Sequence, residues 1–305
     1  MISLVMQNRF ELMKKIVFLT IAASLLAFVS CQKGDGAGQV SLDGDRLPIQ
    51  LSLSLQTKAT DAGYENGDKI GGYVSYQNGL EPSGNYLDNV GFSLQNGVWE
   101  ADATIYWADK TTPADFYCYY PYGVPFNARS YNFTVKSDQS TKANYSASDF
   151  LWGRTLGAAP GTGVVSISTS HIMSNILVYL EPGEGFAPQE FAEAEKSLKI
   201  CNVKNNSLID LQSGTVAATG DVAVITPYWT GECYRAVVVP QSIGTDANFI
   251  VLTVNGVTYS LAREFVFQSG TQHRLTVKVN KLSSGLSVTI ESWSIDDTEY
   301  TGNAN

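Results

Sequence analysis

The chain has 305 residues, with 20 Lys+Arg against 29 Asp+Glu and a formal charge of -9. That balance excludes the basic face that a nucleic-acid partner requires. Two His residues, with no CxxC or HExxH spacing, leave no set for a zinc site or a His-based triad. Hydrophobic content of 44% and charged content of 16% describe a globular chain, and the length predicts two domains.

Met13-Lys14-Lys15 and the apolar stretch Ile16–Ser30 have the form of a secretory signal, with residues 1–12 an extended start. The stretch is shorter than the roughly 20 apolar residues of a membrane-spanning helix. It ends in Phe28-Val29-Ser30-Cys31, a small residue before a cysteine. This has the form of a lipobox, which makes Cys31 the acylated first residue of the mature chain; ordinary signal cleavage beside a stray cysteine is the alternative. Residues 31–46 form a polar, lipidated spacer. Cleavage before Cys31 leaves 17 basic and 28 acidic residues, a charge of -11. Such a chain is held at a membrane by acyl chains and not by a basic patch.

The mature chain has a period of two. Leu47, Ile49, Leu51, Leu53 and Leu55 alternate with polar residues, which predicts a half-buried strand over 47–57. Asn96-Gly97 and Asn255-Gly256 are hairpin signals, each between two alternating runs. Asp115–Tyr122 (DFYCYYPY) sets Phe116, Cys118 and Tyr120 against Tyr117 and Tyr119. Core and inter-domain packing of a β-sandwich accounts for that segment better than a sugar-stacking platform. Pro188–Leu198 predicts one short surface helix. His273–Lys281 and Leu286–Trp293 flank a Ser-Ser-Gly turn, and Leu286, Val288 and Ile290 share one strand face. The Gly/Pro/Ala stretch 157–164 predicts a boundary between an N-terminal domain over 47–163 and a C-terminal domain over 164–305. The expected class is all-β, with two antiparallel sandwiches in tandem.

Chemistry is sparse. There is no nucleophile elbow, phosphate loop or dinucleotide fingerprint, so no catalytic residue, metal site or cofactor is expected. His171 reads as a strand-end or domain-junction residue, and His273 as solvated. Asp296-Asp297 reads as a solvated pair. Cys201 and Cys233 could pair in an exported chain, but three mature cysteines (with Cys118) argue against a required disulfide framework.

An ordered set of segments carries a resemblance. It runs from Cys31 through Thr57-Lys58-Ala59 and Tyr64–Gly71 to Asp115–Tyr122, then Ser148–Gly153 and Ser170–Ser174. It continues with Ile209-Asp210-Leu211, Gly214, Phe267–Gly270, His273 and Trp293. In this order the chain resembles the fimbrillin-like family, the pilin lipoproteins of Bacteroides-type bacteria. The resemblance implies two transthyretin-like sandwiches and export to the outer membrane as a lipoprotein. It also implies removal of the first strand by an extracellular trypsin-like protease, and filling of the groove by a strand from another fimbrillin subunit. Lys58 stands where the family often has Arg, so a strictly Arg-specific protease would be left with Arg46. Leu286, Val288 and Ile290 are the expected donor positions. The expected partners are other subunits, the protease, the outer membrane through acyl chains, and a host or bacterial surface ligand. The competing expectation is a glycan-binding or tip-adhesin lipoprotein that does not polymerise. If all five apolar residues of the first strand were buried, they would contribute roughly 8–15 kcal/mol gross.

Overall fold

The computed structural model describes residues 46–56, 63–125, 127–161 and 163–281, and the backbone of 286–291. The signal, the spacer up to residue 45, Cys31, Lys58 and Asp296-Asp297 lie outside the described residues. The fold is all-β, as the alternation requires.

In the first module, seven strands close into a barrel. They are β1 (Gln50–Leu55), β2 (Lys69–Ser75), β3 (Leu87–Gln95), β4 (Val98–Ala101), β5 (Ala114–Tyr120), β7 (Leu151–Ala158) and β8 (Val164–His171), in the order β1-β4-β3-β2-β5-β7-β8. Asn96 and Gly97 sit at φ 51° and 81°, so the β3–β4 connection is a primed turn that matches the strand twist. The closure was not foreseen by antiparallel alternation alone. It comes from a parallel ladder, Gln50–Leu55 against Val164–Thr169.

The second module is built from two five-stranded sheets. One contains β10 (Lys196–Asp210), β11 (Thr215–Ile225), β15 (Asn248–Val254), β16 (Val257–Ala262) and β6 (Tyr131–Thr134). The other runs β12 (Tyr228–Trp229), β13 (Tyr234–Val238), β9 (Ser174–Pro182), β18 (Gln272–Val279) and β19 (Leu286–Glu291). Leu198, Ile200, Ile250 and Leu252 from the first sheet share one buried cluster with Ile176, Val178, Leu275 and Val277 from the second. Asn255 and Gly256, at φ 47° and 82°, make the β15–β16 turn. A two-stranded piece, β14 (Gln241–Ile243) with β17 (Phe265–Phe267), completes the module. Here too one pair is parallel, β9 with β18.

The 157–164 stretch turns the β7–β8 hairpin, and β8 belongs to the barrel, so barrel pairing runs on to His171. Gly161 and Gly163, both at φ 85°, supply the turn; a hairpin turn and a linker need the same residues. β6 crosses the other way, pairing with β10 in the second module. The helix predicted over Pro188–Leu198 ends sooner. Helix α2 spans Pro188–Glu193, Ala194 is already extended, and Lys196 opens β10. Leu198 and Ile200 are fully buried there, so burial on strand period overrides helix propensity. A shorter helix, α1 (Lys142–Ser146), is capped by the Thr141 hydroxyl.

β5 joins the two modules. Phe116 and Cys118 point into the barrel cluster, while Tyr117 and Tyr119 belong to the cluster of the second module. Both faces are buried, which is why this strand has hardly a polar position.

Candidate functional site

The first strand is the candidate assembly element, and its environment follows from its pattern. Ile49 and Leu51 are 6% and 5% exposed, Leu47, Leu53 and Leu55 are half-buried, and Gln50, Ser52, Ser54 and Gln56 are exposed. Ile49 and Leu51 pack in the barrel cluster with Ile70, Phe92, Trp99, Trp107, Phe116, Val165 and Ile167. Two of the five apolar residues are therefore fully buried, and the gross contribution falls to about 5–10 kcal/mol.

The backbone of β1 is held unevenly. Six residue pairs join it to β8, against a single pair, Leu51 with Trp99, to β4. Ahead of the ladder, the Ile49 N–H donates to the Ile105 carbonyl and the Trp107 N–H to the Leu47 carbonyl, each at 2.9 Å. β8 in turn pairs with β7 only through Thr169, Ser170 and His171. Val164–Ser168 have β1 as their ladder partner.

A polar clamp closes the far end. The Gln56 N–H donates to the Thr169 carbonyl at 2.8 Å. The Thr169 hydroxyl donates to the Ser54 carbonyl at 3.1 Å, which leaves the Tyr64 hydroxyl to donate to Thr169 Oγ1 at 2.8 Å. Thr169 is 1% exposed. The Tyr64 ring meets Trp99 edge-on at 5.1 Å and Tyr120 at 5.9 Å, and burial pushes its phenol pKa well above the ordinary value. Neither residue was picked out from sequence for a role. The available signal was a Thr on the inward period of Val164–His171, where Val165 and Ile167 precede it.

Arg46 is exposed, with its guanidinium 4.9 Å from the centroid of the Tyr106 ring. Lys58, the other processing candidate, and Cys31, the lipidation candidate, lie outside the described residues. The donor candidates Leu286, Val288 and Ile290 sit on β19, at the edge of its sheet, in register with Val279, Val277 and Leu275 of β18.

The remaining marked residues are structural. His171 ends β8, and its Nδ1 lies 2.5 Å from Asp149 Oδ2. His273 is not solvated as predicted. It packs edge-on against Phe265 and Phe267, its Nε2 accepts from the Gln268 N–H at 3.2 Å, and burial lowers its pKa. Its polar neighbour Arg274 hid an inward-facing rim position. Cys118, Cys201 and Cys233 are free thiols, and burial pushes Cys118 up to about 12. Among the described residues no cluster of three or more metal-ligating side chains occurs, and no helix is long and apolar enough to cross a membrane.

A closed seven-stranded barrel followed by a module of two five-stranded sheets defines an all-β, two-module protein with β1 at the barrel seam. The fimbrillin-like family profile matches residues 57–293, and the chain belongs to the fimbrillin-like family. A relative from Bacteroides uniformis, named "Putative fimbrium subunit Fim1C", is 22% identical over 92% of this chain and 95% of its own length. Two crystal structures share the fold. One, of a "putative cell adhesion protein" from Bacteroides uniformis, has a TM-score of 0.63 at 19% identity, covering 82% of this chain and 98% of that one. The other, of a protein described in the same words from Bacteroides ovatus, has a TM-score of 0.60 at 15% identity, covering 81% and 96%.

Proposed function

We propose that the protein is a structural subunit of a surface fimbria, exported as a lipoprotein through Cys31 and assembled by protease-triggered strand exchange. The observation that carries this reading is the attachment of β1: six residue pairs to one neighbour, one to the other. Cleavage after Lys58 frees a strand whose loss uncovers the β8 edge and the apolar cluster beneath it, whereas cleavage at the runner-up, Arg46, falls before β1 and leaves that strand attached. An open edge above an apolar groove is a template for strand addition. A neighbouring subunit's β19 would fill it. The partners are then other fimbrillin subunits, a trypsin-like protease, and the outer membrane through the acyl chains, with the assembled product at the cell surface. Lys58→Ala combined with Arg46→Ala should give folded, surface-anchored, uncleaved monomer, read as loss of the polymer ladder on mildly denaturing gels. Polymerisation at the wild-type level would overturn the mechanism. Cys31→Ala should abolish labelling by a clickable palmitate analogue, and unchanged labelling would overturn the lipoprotein assignment.

A second reading, a tip adhesin that keeps β1 in place, rests on a different feature. Trp229 is 47% exposed and lies against Tyr234 at 4.7 Å, an aromatic surface suited to stacking on a sugar ring. Uncleaved wild-type protein that binds polysaccharide would favour it.

A further inference from the structure

Two arginines lie on the outward face of the β12-β13-β9-β18-β19 sheet. Ile176, Val178, Leu275 and Val277 point inward into the apolar cluster, so the residues between them on β9 and β18 face outward. The register sets Arg235 of β13 and Arg274 of β18 on either side of Leu177 of β9, about 10 Å apart across the strands. Leu177 is buried yet belongs to neither apolar cluster. We propose that this row is a binding site for an acidic saccharide, a polymer whose uronate carboxylates meet the two guanidinium groups. The site does not depend on strand exchange, since its residues lie on β9, β13 and β18. It is also a different surface from that of Trp229, whose register partner Tyr234 aligns with inward-facing Val178.

Three observations point to that ligand. The first is charge. Lys69, Arg129, Lys278 and Lys281 each meet a carboxylate. The Arg274 guanidinium instead lies 4.0 Å from the centroid of the Tyr179 ring, and that of Arg235 lies 5.0 Å from the centroid of Tyr145. Stacking fixes the plane of a guanidinium and leaves its N–H fork for a planar anion. The second is an unmet bond. Arg274 Nε is buried without a hydrogen-bond partner, and so is Asn175 Oδ1, two residues before Leu177 on β9. The Asn175 amide is held in place, its Nδ2 donating to Gln272 Oε1 at 3.2 Å. Buried polar groups left unpaired are costly. A ligand that satisfies both carries an anionic acceptor with a neutral donor close by, and a uronate ring has both in its carboxylate and hydroxyls. The third is shape. Peptides are captured by adding to a sheet edge or by laying a helix in a groove. This row crosses the interior of a sheet, where the backbone groups of β13, β9 and β18 already pair with their neighbours. Recognition there falls to side chains alone, which suits a saccharide.

The chain is acidic overall, at -9, so it does not attract a polyanion at long range, and affinity has to come from the row itself. A competing acidic occupant is the chain's own C-terminal segment. β19 ends at Glu291, opposite Arg274 in register, and the residues beyond it include Asp296, Asp297 and Glu299.

The test is retention of the full-length protein on immobilised polygalacturonate, with the methyl ester of the same polymer as its uncharged form. Wild type should bind the acid and not the ester, and bind less as salt rises toward about 0.15 M. Arg274→Gln should weaken binding about ten-fold. Arg274→Lys should weaken it nearly as much, because lysine keeps the charge but lacks the fork. Asn175→Ala should weaken it about three-fold. Lys278→Gln, on the same strand and face, should leave binding unchanged, and melting curves check that each variant keeps its fold. No binding by wild type, equal binding of acid and ester, or a loss in Lys278→Gln equal to that in Arg274→Gln would overturn the site. If Arg274→Gln does not fold, unchanged binding in both Arg274→Lys and Asn175→Ala would overturn it. Binding that appears only after Asp296→Asn, Asp297→Asn and Glu299→Gln would give the row to the chain's own C-terminal segment and overturn the saccharide as its occupant.

Discussion

Leu51→Ala in uncleaved protein measures how strongly the seam strand is held. Leu51 is 5% exposed and packs in the barrel cluster, so truncation removes buried methyl groups and leaves a cavity, at about 2–5 kcal/mol. Leu53→Ala, at a half-buried position, should cost about half as much. Ser52→Ala, on the exposed face, should stay within roughly 0.5 kcal/mol. The parent for all three is the Lys58→Ala, Arg46→Ala protein, which keeps β1 attached. Urea unfolding can be followed by tryptophan fluorescence, since Trp99 and Trp107 are buried in this same cluster. In a cleavable Leu51→Ala protein, the proposed removal of β1 would take the substitution out of the folded unit, and its effect should vanish. A Leu51→Ala cost no larger than that of Ser52→Ala would refute the claim that β1 fills the barrel core.

Three further outcomes follow from particular side chains. Burial holds the His273 imidazole below its usual 6.5. The unfolded state therefore takes up the proton first, and this contribution to stability is lost as pH falls through about 6.5 toward the folded value. His273→Asn should lose less melting temperature than wild type between about pH 7.5 and 5.5, and equal losses would remove His273 as a cause. Gly153→Ala would set a Cβ 2.3 Å from the Ser168 carbonyl oxygen, and should destabilise by about 1–3 kcal/mol or more in thermal melts; a neutral result would contradict the close β7–β8 approach. Native thiol labelling near pH 8 should reach half-exposed Cys201 while sparing Cys118, which is fully buried in the barrel and has its pKa pushed up to about 12. Equal rates for the two would count against a closed barrel.

What was legible in the sequence was local. The alternation from Leu47 to Leu55 correctly assigned the buried and exposed faces of β1, and both Asn-Gly pairs fell at hairpin turns. The double-sided burial of Asp115–Tyr122 could be read from its lack of polar residues. What failed was partnership. A period of two says which face is buried but not which strand lies alongside, so the parallel seam between β1 and β8, more than a hundred residues apart, left no local trace. The 157–164 glycines mark a reversal equally well within a barrel or between modules. Thr169 was passed over because a single Thr in Val164–His171 looks like ordinary strand composition; its importance comes from Tyr64 and Ser54, which only the folded chain brings to it.

The strand order bears on the proposal that β1, rather than another barrel strand, is the one exchanged. Around the barrel β5 is separated from β1 by β8 and β7 on one side and by β4, β3 and β2 on the other. β5 is also the strand whose outer residues, Tyr117 and Tyr119, are committed to the core of the second module. Tyr119 stacks on Phe150 at 5.6 Å and fills the space beside Gly71, where a Cβ would fall 2.2 Å from its ring. β2, β5 and β7 are joined by antiparallel ladders, that of β5 with β7 shifting register once between Ala114 and Phe116. The barrel wall remote from the seam is therefore held from outside by the second module as well as from within. Loss of β1 removes Ile49 and Leu51 from the inner cluster but breaks none of these outer contacts. Under the proposed exchange, the barrel would open along its seam while its far wall keeps its curvature.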